Sequence, residues 1–249
     1  MEKIFVRPKS LRQTPFRYCP GCGHSLAHRL IAECIDELRI REKVVGIAPV
    51  GCAVFSYEYF NFDILESAHG RPPAVATALK RVLPGRIIFS YQGDGDLAAI
   101  GTSEIIHAAS RGENISVFFI NNANYGMTGG QMAPTTLLGQ RTTTTPAGRA
   151  ASSEGYPMRV SEMLGNIEGA SFIQRVSLDS HRSLSVAKSA IAKCFRYQLE
   201  GKGFSFVEIL SPCPTDWGLS ARASLEWIRT EMMKVYPTGI IKDKYAEGA

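Results

Sequence analysis

At 249 residues the chain can bury a substantial core as one large domain or two small ones, and 45% apolar against 20% charged residues is the balance of a globular protein. Its net charge of +5 comes from scattered lysines and arginines, without the basic stripe that a nucleic-acid partner would need. No apolar run approaches the ~20 residues of a membrane span, and the opening MEKIFVRPKS lacks the apolar core of a secretory signal, so a cytoplasmic location is expected.

Residues 1–18, with Pro8 and Pro15, read as an N-terminal arm, and residues 19–249 as the domain that follows. Leu26, Leu30, Ile31, Cys34, Ile35 and Leu38 recur at helical spacing and predict a helix from His24 to Leu38. Val44 to Ile47 reads as a short buried strand ending before Pro49 and Gly51. Pro72-Pro73 opens a helix over 74–82, since proline is tolerated in a first turn. A strand over 86–91, a helix over 102–110 and a strand over 115–120 have the lengths of a βαβ unit. After a loop rich in Gly, Thr and Pro come a short helix (159–164), a strand (171–176), a helix (182–199), a strand (204–210) and a last helix (219–235). Strands alternating with helices predict a single α/β domain: a mostly parallel sheet with helices on both faces.

Ligands of such sheets bind at the carboxyl ends of the strands, and the most informative residues lie there. Gly93-Asp94-Gly95-Asp96 closes one strand, and Asn122, 28 positions after Asp94, closes another within Asn121-Asn122-Ala123-Asn124. A carboxylate and an amide oxygen delivered to one edge are hard ligands suited to Mg²⁺, which shares phosphate oxygens, so a diphosphate cofactor held through its metal is expected. The loop over 125–156 directly follows this motif and reads as a segment covering cofactor or substrate.

Six cysteines in a chain of intracellular character point to metal or redox chemistry rather than a disulfide scaffold. Cys34 and Cys194 fall on apolar helical positions and read as core. Cys19 and Cys22 share a tight turn, whereas Cys52 and Cys213 follow strands and so reach the same edge as Asp94. Four thiolates there could hold a [4Fe–4S] cluster. They could equally hold a tetrahedral zinc, Cys19–Cys22 could be a dithiol redox pair, or all four could be plain buried thiols.

Gly93-Asp94-Gly95 with Asn121-Asn122 resembles the thiamine-diphosphate motif. The full set is Cys-Pro-Gly-Cys-Gly-His at 19–24, Gly51-Cys52-Ala53, His69-Gly70-Arg71, that motif, Tyr125-Gly126-Met127-Thr128-Gly129-Gly130-Gln131, and Ser211-Pro212-Cys213-Pro214-Thr215. It resembles the β subunit of 2-oxoacid:ferredoxin oxidoreductases from about residue 17 to about 240. The resemblance implies oxidative decarboxylation of a 2-oxoacid on thiamine diphosphate, transfer of the acyl group to coenzyme A, and electrons leaving through an iron–sulfur cluster towards ferredoxin. It implies Asp94, the Asn122 side chain and the Asn124 carbonyl as Mg²⁺ ligands, and Cys19, Cys22, Cys52 and Cys213 as cluster ligands. It also implies Gly93, Gly95 and Asp96 along the diphosphate turn, His69 facing cofactor or substrate, and Thr128 and Gln131 as further cofactor-side residues. The glutamate that activates the aminopyrimidine ring would come from an α subunit carrying the pyrimidine-binding domain, and a ferredoxin-like small subunit would relay electrons. A non-redox thiamine-dependent decarboxylase subunit would share Asp94 and Asn122 without needing a cluster. A zinc-stabilised interaction module would use only the cysteines. The stretch from Val54 to Phe60 is aromatic and lacks basic residues; if it lines the substrate pocket, a hydrophobic substrate side chain is favoured over a second carboxylate. The ending Cys213-Pro214-Thr215-Asp216-Trp217-Gly218 is similar to the branched-chain and 2-oxoglutarate types.

Overall fold

The computed structural model describes residues 6–246. Seven strands form one sheet: β1 (Val44–Ala48), β2 (Asp63–Glu66), β3 (Ile87–Gly93), β4 (Ser116–Asn121), β5 (Ala170–Ser177), β6 (Phe204–Leu210) and β7 (Gly239–Asp243). Their order is β2-β1-β3-β4-β6-β5-β7, and every pairing is parallel except that of β5 with β7. The main helices are α1 (His24–Glu37), α2 (Pro72–Val82), α3 (Thr102–Ser110), α4 (Val160–Gly165), α5 (His181–Leu199) and α6 (Ala221–Trp227).

The inner strands are buried along both faces, which is why they read as continuous apolar runs. On β4 the alternation is plain. Phe118 and Ile120 join a core with Ile31, Cys34 and Phe195 of α1 and α5, whereas Val117 and Phe119 join a second core with Ala76, Ile105 and Leu164 of α2, α3 and α4. The expected α/β sheet covered on both faces is thus the observed one. Cys34 and Cys194 are fully buried in the first core.

The sequence pattern overlooks the two edge strands. β2 is largely exposed and β7 partly so, and a strand without a buried face carries no alternation to read. The last helix starts at Ala221, where Ser220 Oγ accepts the Ala223 N–H at 3.2 Å, and continues into a π-helical stretch at Ile228–Met232. A second π-helical stretch, Gly95–Ile100, joins β3 to α3 beside the Asp94 turn; such stretches recur at functional sites. The described part of the arm is packed down: Leu11 is buried and bridges to Phe60, and Ser10 Oγ donates to Asp36 at 2.6 Å. Residues 1–5 of that arm lie outside the described residues.

Candidate active site

β3 and β4 are parallel neighbours, so their carboxyl ends deliver Asp94 and Asn122 side by side. The Asn122 backbone N–H donates to Asp94 Oδ1 at 3.0 Å, and the Thr135 hydroxyl donates to Oδ2. Burial pushes the Asp94 carboxyl up to about 7, against the opposing pull of those two donors. A carboxylate this deep, with neutral donors only, has the chemistry of a ligand for a cation.

The asparagine turn is held from behind. Ala123 adopts φ 58°, a left-handed conformation costing a non-glycine residue about 1–2 kcal/mol. Its N–H donates to Asn121 Oδ1 at 3.1 Å, and its carbonyl accepts from Thr136 Oγ1 at 2.7 Å and Gln140 Nε2 at 3.1 Å. Asn121 Nδ2 in turn donates to Glu208 at 2.7 Å, and Glu208 pairs with Arg175 at 2.8 Å, both side chains wholly buried. Trp217 Nε1 donates to the Asn122 carbonyl and to Asn124 Oδ1, both at 3.1 Å, and Asn124 Nδ2 donates to Asp216 at 3.0 Å. These bonds occupy the Asn124 side chain and leave its backbone carbonyl as the group it can offer a metal.

A cavity of about 150 Å³ opens at this edge. Gly93, Asp94, Gly95, Asp96, Asn122 and Asn124 form one wall; His69, Cys52 and Thr128 reach it from elsewhere, and among the described residues no lysine, arginine or glutamate lines it. A diphosphate in this cavity would therefore depend on a metal for its counter-charge. A Cβ on Gly93 would project into open space, which leaves room for a ligand, whereas one on Gly95 would strike the Tyr125 ring at 1.9 Å. Gly95 is accordingly fixed by the ring packed on it rather than by close approach of a diphosphate.

Asp96, expected along the diphosphate turn, orients a histidine. Its Oδ1 lies 2.6 Å from His69 Nδ1 and accepts the Gly70 N–H at 2.8 Å, while Oδ2 accepts Gln92 Nε2 at 2.5 Å. With Nδ1–H directed at Asp96, the other ring nitrogen of His69 is available to the cavity. Gln131 does not line the cavity; it closes its loop instead, donating to the Thr128 carbonyl at 2.8 Å and accepting the Tyr125 N–H on its own carbonyl at 3.0 Å.

One expectation is narrowed and one corrected. The loop over 125–156 lines the cavity through its first residues, 125–128, and the rest of it is a buttress. Thr135, Thr136 and Gln140 hold Asp94 and the asparagine turn, and Arg149, 5% exposed, donates to the carbonyls of Thr136 at 2.6 Å, Pro134 at 3.0 Å, Gly155 at 3.0 Å and Tyr156 at 2.9 Å. The aromatic stretch 54–60 does not line the cavity either, because Tyr59 and Phe60 are buried in the core and Tyr57 faces solvent. The cavity-facing residues are those just before it, Val50 to Ala53.

The four cysteines approach one region beside this cavity. A Cβ on Gly21 would lie 2.5 Å from Ala221 Cβ and 3.2 Å from Pro214 Cγ, so the Cys19–Cys22 turn packs directly on the turn carrying Cys213. A Cβ on Gly126 would meet both Cys52 Sγ at 3.2 Å and Asp216 Oδ2 at 3.6 Å, and Cys213 Sγ lies 3.2 Å from the same oxygen. Among the described residues no three His, Cys, Asp or Glu side chains gather closely enough for a single ion. Four soft thiol donors in one region suit an iron–sulfur group or a zinc ion. Burial pushes Cys22 up to about 11 and Cys52 to about 12; burial and then Asp216 push Cys213 higher still.

His24 also lines the cavity, a position its place at the head of an apolar helical stripe concealed. Its Nδ1 lies 2.6 Å from Tyr91 Oη, and its ring stacks on Tyr18. Burial lowers it to about 4, so it is neutral. His24 closes the Cys-Pro-Gly-Cys-Gly-His motif, but the resemblance gives a role to its cysteines and none to the histidine.

Residues 49–209 match the thiamine pyrophosphate enzymes' C-terminal TPP binding domain, which places the chain among proteins carrying that half of a thiamine site. The chain is 47% identical over 247 residues to the ketoisovalerate oxidoreductase subunit VorA of Methanothermobacter marburgensis, covering 99% of this chain and 52% of that one. It is 34% identical over 213 residues to the 2-oxoglutarate synthase subunit KorB of Methanocaldococcus jannaschii, covering 84% of this chain and 74% of that one. A solved 2-oxoglutarate:ferredoxin oxidoreductase from Magnetococcus marinus, with 2-oxoglutarate, coenzyme A and succinyl-CoA bound, matches with a TM-score of 0.76 at 25% identity, over 98% of this chain and 87% of that one. The chain belongs to the thiamine-pyrophosphate-binding subunits of the 2-oxoacid:ferredoxin oxidoreductase family. It spans about half the length of the VorA relatives it matches.

Proposed function

We propose that this chain is the β subunit of an enzyme that oxidatively decarboxylates a branched-chain 2-oxoacid such as 2-oxoisovalerate to its acyl-CoA, passing electrons to ferredoxin. The observation that carries this reading is the meeting of a hard-oxygen site and a thiol ring at one cavity, with Cys52 belonging to both. Asp94, the Asn122 side chain and the Asn124 carbonyl would hold Mg²⁺ and through it thiamine diphosphate, along the wall where Gly93 leaves room. Cys19, Cys22, Cys52 and Cys213 would hold the [4Fe–4S] cluster. Bound thiamine diphosphate supplies an electron sink, and the cluster a one-electron acceptor.

The chain's own residues do the rest. Asp94 would offer its charge to the metal, and Asp96 holds the His69 ring at the cavity. Val50, Ala53 and Met127 give the cavity an apolar side. The lack of lysine and arginine there favours a branched aliphatic substrate, as does greater identity to a ketoisovalerate than to a 2-oxoglutarate subunit. The 2-oxoglutarate reading needs a basic residue from outside this chain. Because no glutamate among the described residues lines the cavity, the pyrimidine-activating carboxylate is assigned to a partner α subunit, and onward transfer to a ferredoxin-like small subunit or ferredoxin. A cytoplasmic location accords with helices none of which is long and apolar enough to cross a membrane, among the described residues.

The test is the complex purified anaerobically with its native partners and assayed for viologen reduction with coenzyme A and a panel of 2-oxoacids. The expected result is brown protein with about four iron atoms at this site and fastest turnover of 2-oxoisovalerate. Preference for 2-oxoglutarate would overturn the substrate assignment. Carbon dioxide release without viologen reduction, from colourless protein, would establish the non-redox decarboxylase, and one zinc without thiamine binding the interaction module.

A further inference from the structure

His24 begins α1, is 2% exposed, and still forms part of the cavity wall. Tyr91, wholly buried, has one hydrogen-bond partner among the described residues, His24 Nδ1 at 2.6 Å. A buried phenol O–H without another acceptor must donate to the one in reach. Nδ1 is therefore the acceptor, and the proton of the neutral imidazole resides on Nε2. Nε2 has no partner among the described residues, yet it is not sealed away as Nδ1 of His28 is. The ring plane is set by stacking on Tyr18, with centroids 4.9 Å apart and planes at 16°.

His69 carries a different arrangement. Its Nδ1 faces the Asp96 carboxylate rather than a phenol. Two histidines thus line one cavity, each held through Nδ1 by a different kind of partner. We propose that His24 Nε2–H donates a hydrogen bond to the ketone oxygen of the bound 2-oxoacid, a role that rests on the reading of this cavity as a 2-oxoacid site. When the 2-oxo carbon is attacked, the π pair of its C=O bond moves onto that oxygen. A fixed donor aimed at it is strongest as the charge develops, and His24 keeps its proton throughout. A neutral imidazole suits this role because it stabilises the oxygen without protonating it.

The test uses the complex with its native partners and three variants of this chain: His24→Phe, His24→Gln and Tyr91→Phe. His24→Phe keeps the ring volume and removes the donor; kcat should fall by about 100-fold with KM changed less than about threefold, as for loss of one oxyanion donor. His24→Gln restores an N–H and should recover at least about a tenth of the wild-type kcat, a larger rescue than packing alone would give. Tyr91→Phe frees the tautomer and should lower kcat by roughly threefold to tenfold. Independently of turnover, affinity for an acylphosphonate ester, whose carbonyl oxygen takes up the same charge, should drop at least about tenfold in His24→Phe. Iron and thiamine diphosphate contents are measured on each variant. Full cofactor content with unchanged kcat and analogue affinity in His24→Phe overturns the proposal. So does a Gln variant no better than Phe. If His24→Phe loses iron, Tyr91→Phe, which leaves the cysteine turn untouched, decides: a wild-type kcat and analogue affinity there overturn the assignment. A wild-type complex inert towards every 2-oxoacid overturns the functional reading, and this inference with it.

Discussion

The oxygen turn and the thiol ring lie against the same cavity but are built differently. At the oxygen turn, every group that must point somewhere is held by the chain. Thr135 and the Asn122 N–H fix the Asp94 carboxylate, and Asn121, Thr136 and Gln140 hold the left-handed Ala123. At the thiol ring the chain brings the cysteines near but leaves them poorly disposed to be thiolates: burial raises Cys22 and Cys52, and Asp216 sits against Cys213. On the proposed function, the first site would be preorganised for Mg²⁺, whereas the second would need the charge of what it binds to complete it, because metal binding must displace the thiol protons.

That difference implies that the two sites can be emptied separately. Asp94→Asn removes the buried charge and keeps the shape. It should weaken Mg²⁺–thiamine diphosphate binding by more than about 100-fold, a larger loss than that of a residue merely supporting a ligand. Iron content should stay full. Cys213→Ser should do the reverse, losing iron and visible absorbance while thiamine diphosphate still binds, as read by isothermal titration and metal analysis. Loss of both cofactors in either variant would break the separation. Cys52→Ser is the exception that sharpens it. Cys52 belongs to the ring and also lines the cavity, so iron loss there should be accompanied by weaker thiamine diphosphate binding.

A smaller effect is expected behind the oxygen turn. Arg149→Lys keeps the charge but loses the planar fork that reaches the carbonyls on both sides of the buttress loop. The expected cost is about 2–4 kcal/mol of stability, since several carbonyls lose a charged donor and one ammonium cannot reach them all. Thiamine diphosphate affinity should fall by about tenfold through loosening of Thr135 and Thr136, with iron unchanged. Urea melts and the same titrations read both. Iron loss comparable to that of Cys213→Ser would show that the loop supports the ring as well.

The two sites were also unequally legible in the sequence. Asp94 and Asn122 were found because a glycine turn and an asparagine turn each end a strand, and adjacent parallel strands end at one edge. The cysteines were found because thiols are rare and their positions after strands point the same way. Thr135, Arg149 and the Glu208–Arg175 pair had no such signature. They meet the turn through contacts across 41 positions for Thr135 and 87 for Glu208, and only the packed chain reveals them. His24 was hidden differently: it stands in the Cys-Pro-Gly-Cys-Gly-His motif at the head of α1, where the two cysteines carry the signal and the histidine has no spacing that points to the cavity. The inner strands were plain because both faces are buried, and β2 and β7 were not because theirs are not.

The smallest effect concerns the aromatic wall shared by the two sites. His28 is wholly buried, and burial, with His24 adding to it, holds its imidazole well below the usual value. The groups facing it among the described residues are the Tyr18 hydroxyl, 3.0 Å from Nε2, and the rings of Phe16, Tyr18, Tyr59, Tyr91, Phe60 and His24, none of them a charged side chain. Its Nδ1 is buried without a partner. Tyr18 also donates to the Cys52 carbonyl at 3.1 Å, so the bond between Tyr18 and His28 is the one in which the imidazole donates. The folded chain therefore keeps His28 neutral where the unfolded chain would protonate it. Below the unfolded value of ~6.5 the unfolded state binds more protons, so stability is lost as pH falls, by up to about 1.4 kcal/mol per unit for each such histidine. His28→Phe should cost about 1 kcal/mol at pH 8, where the Tyr18 bond is lost. It should then lose less stability than the wild type between pH 6.5 and about 5, because one of the two buried histidines, His24 being the other, no longer resists protonation. The measurement is urea denaturation of the chain prepared without iron across that range. Parallel pH profiles for variant and wild type would mean that His28 is protonated in place, and that the wall between the two sites is wetter than its burial implies.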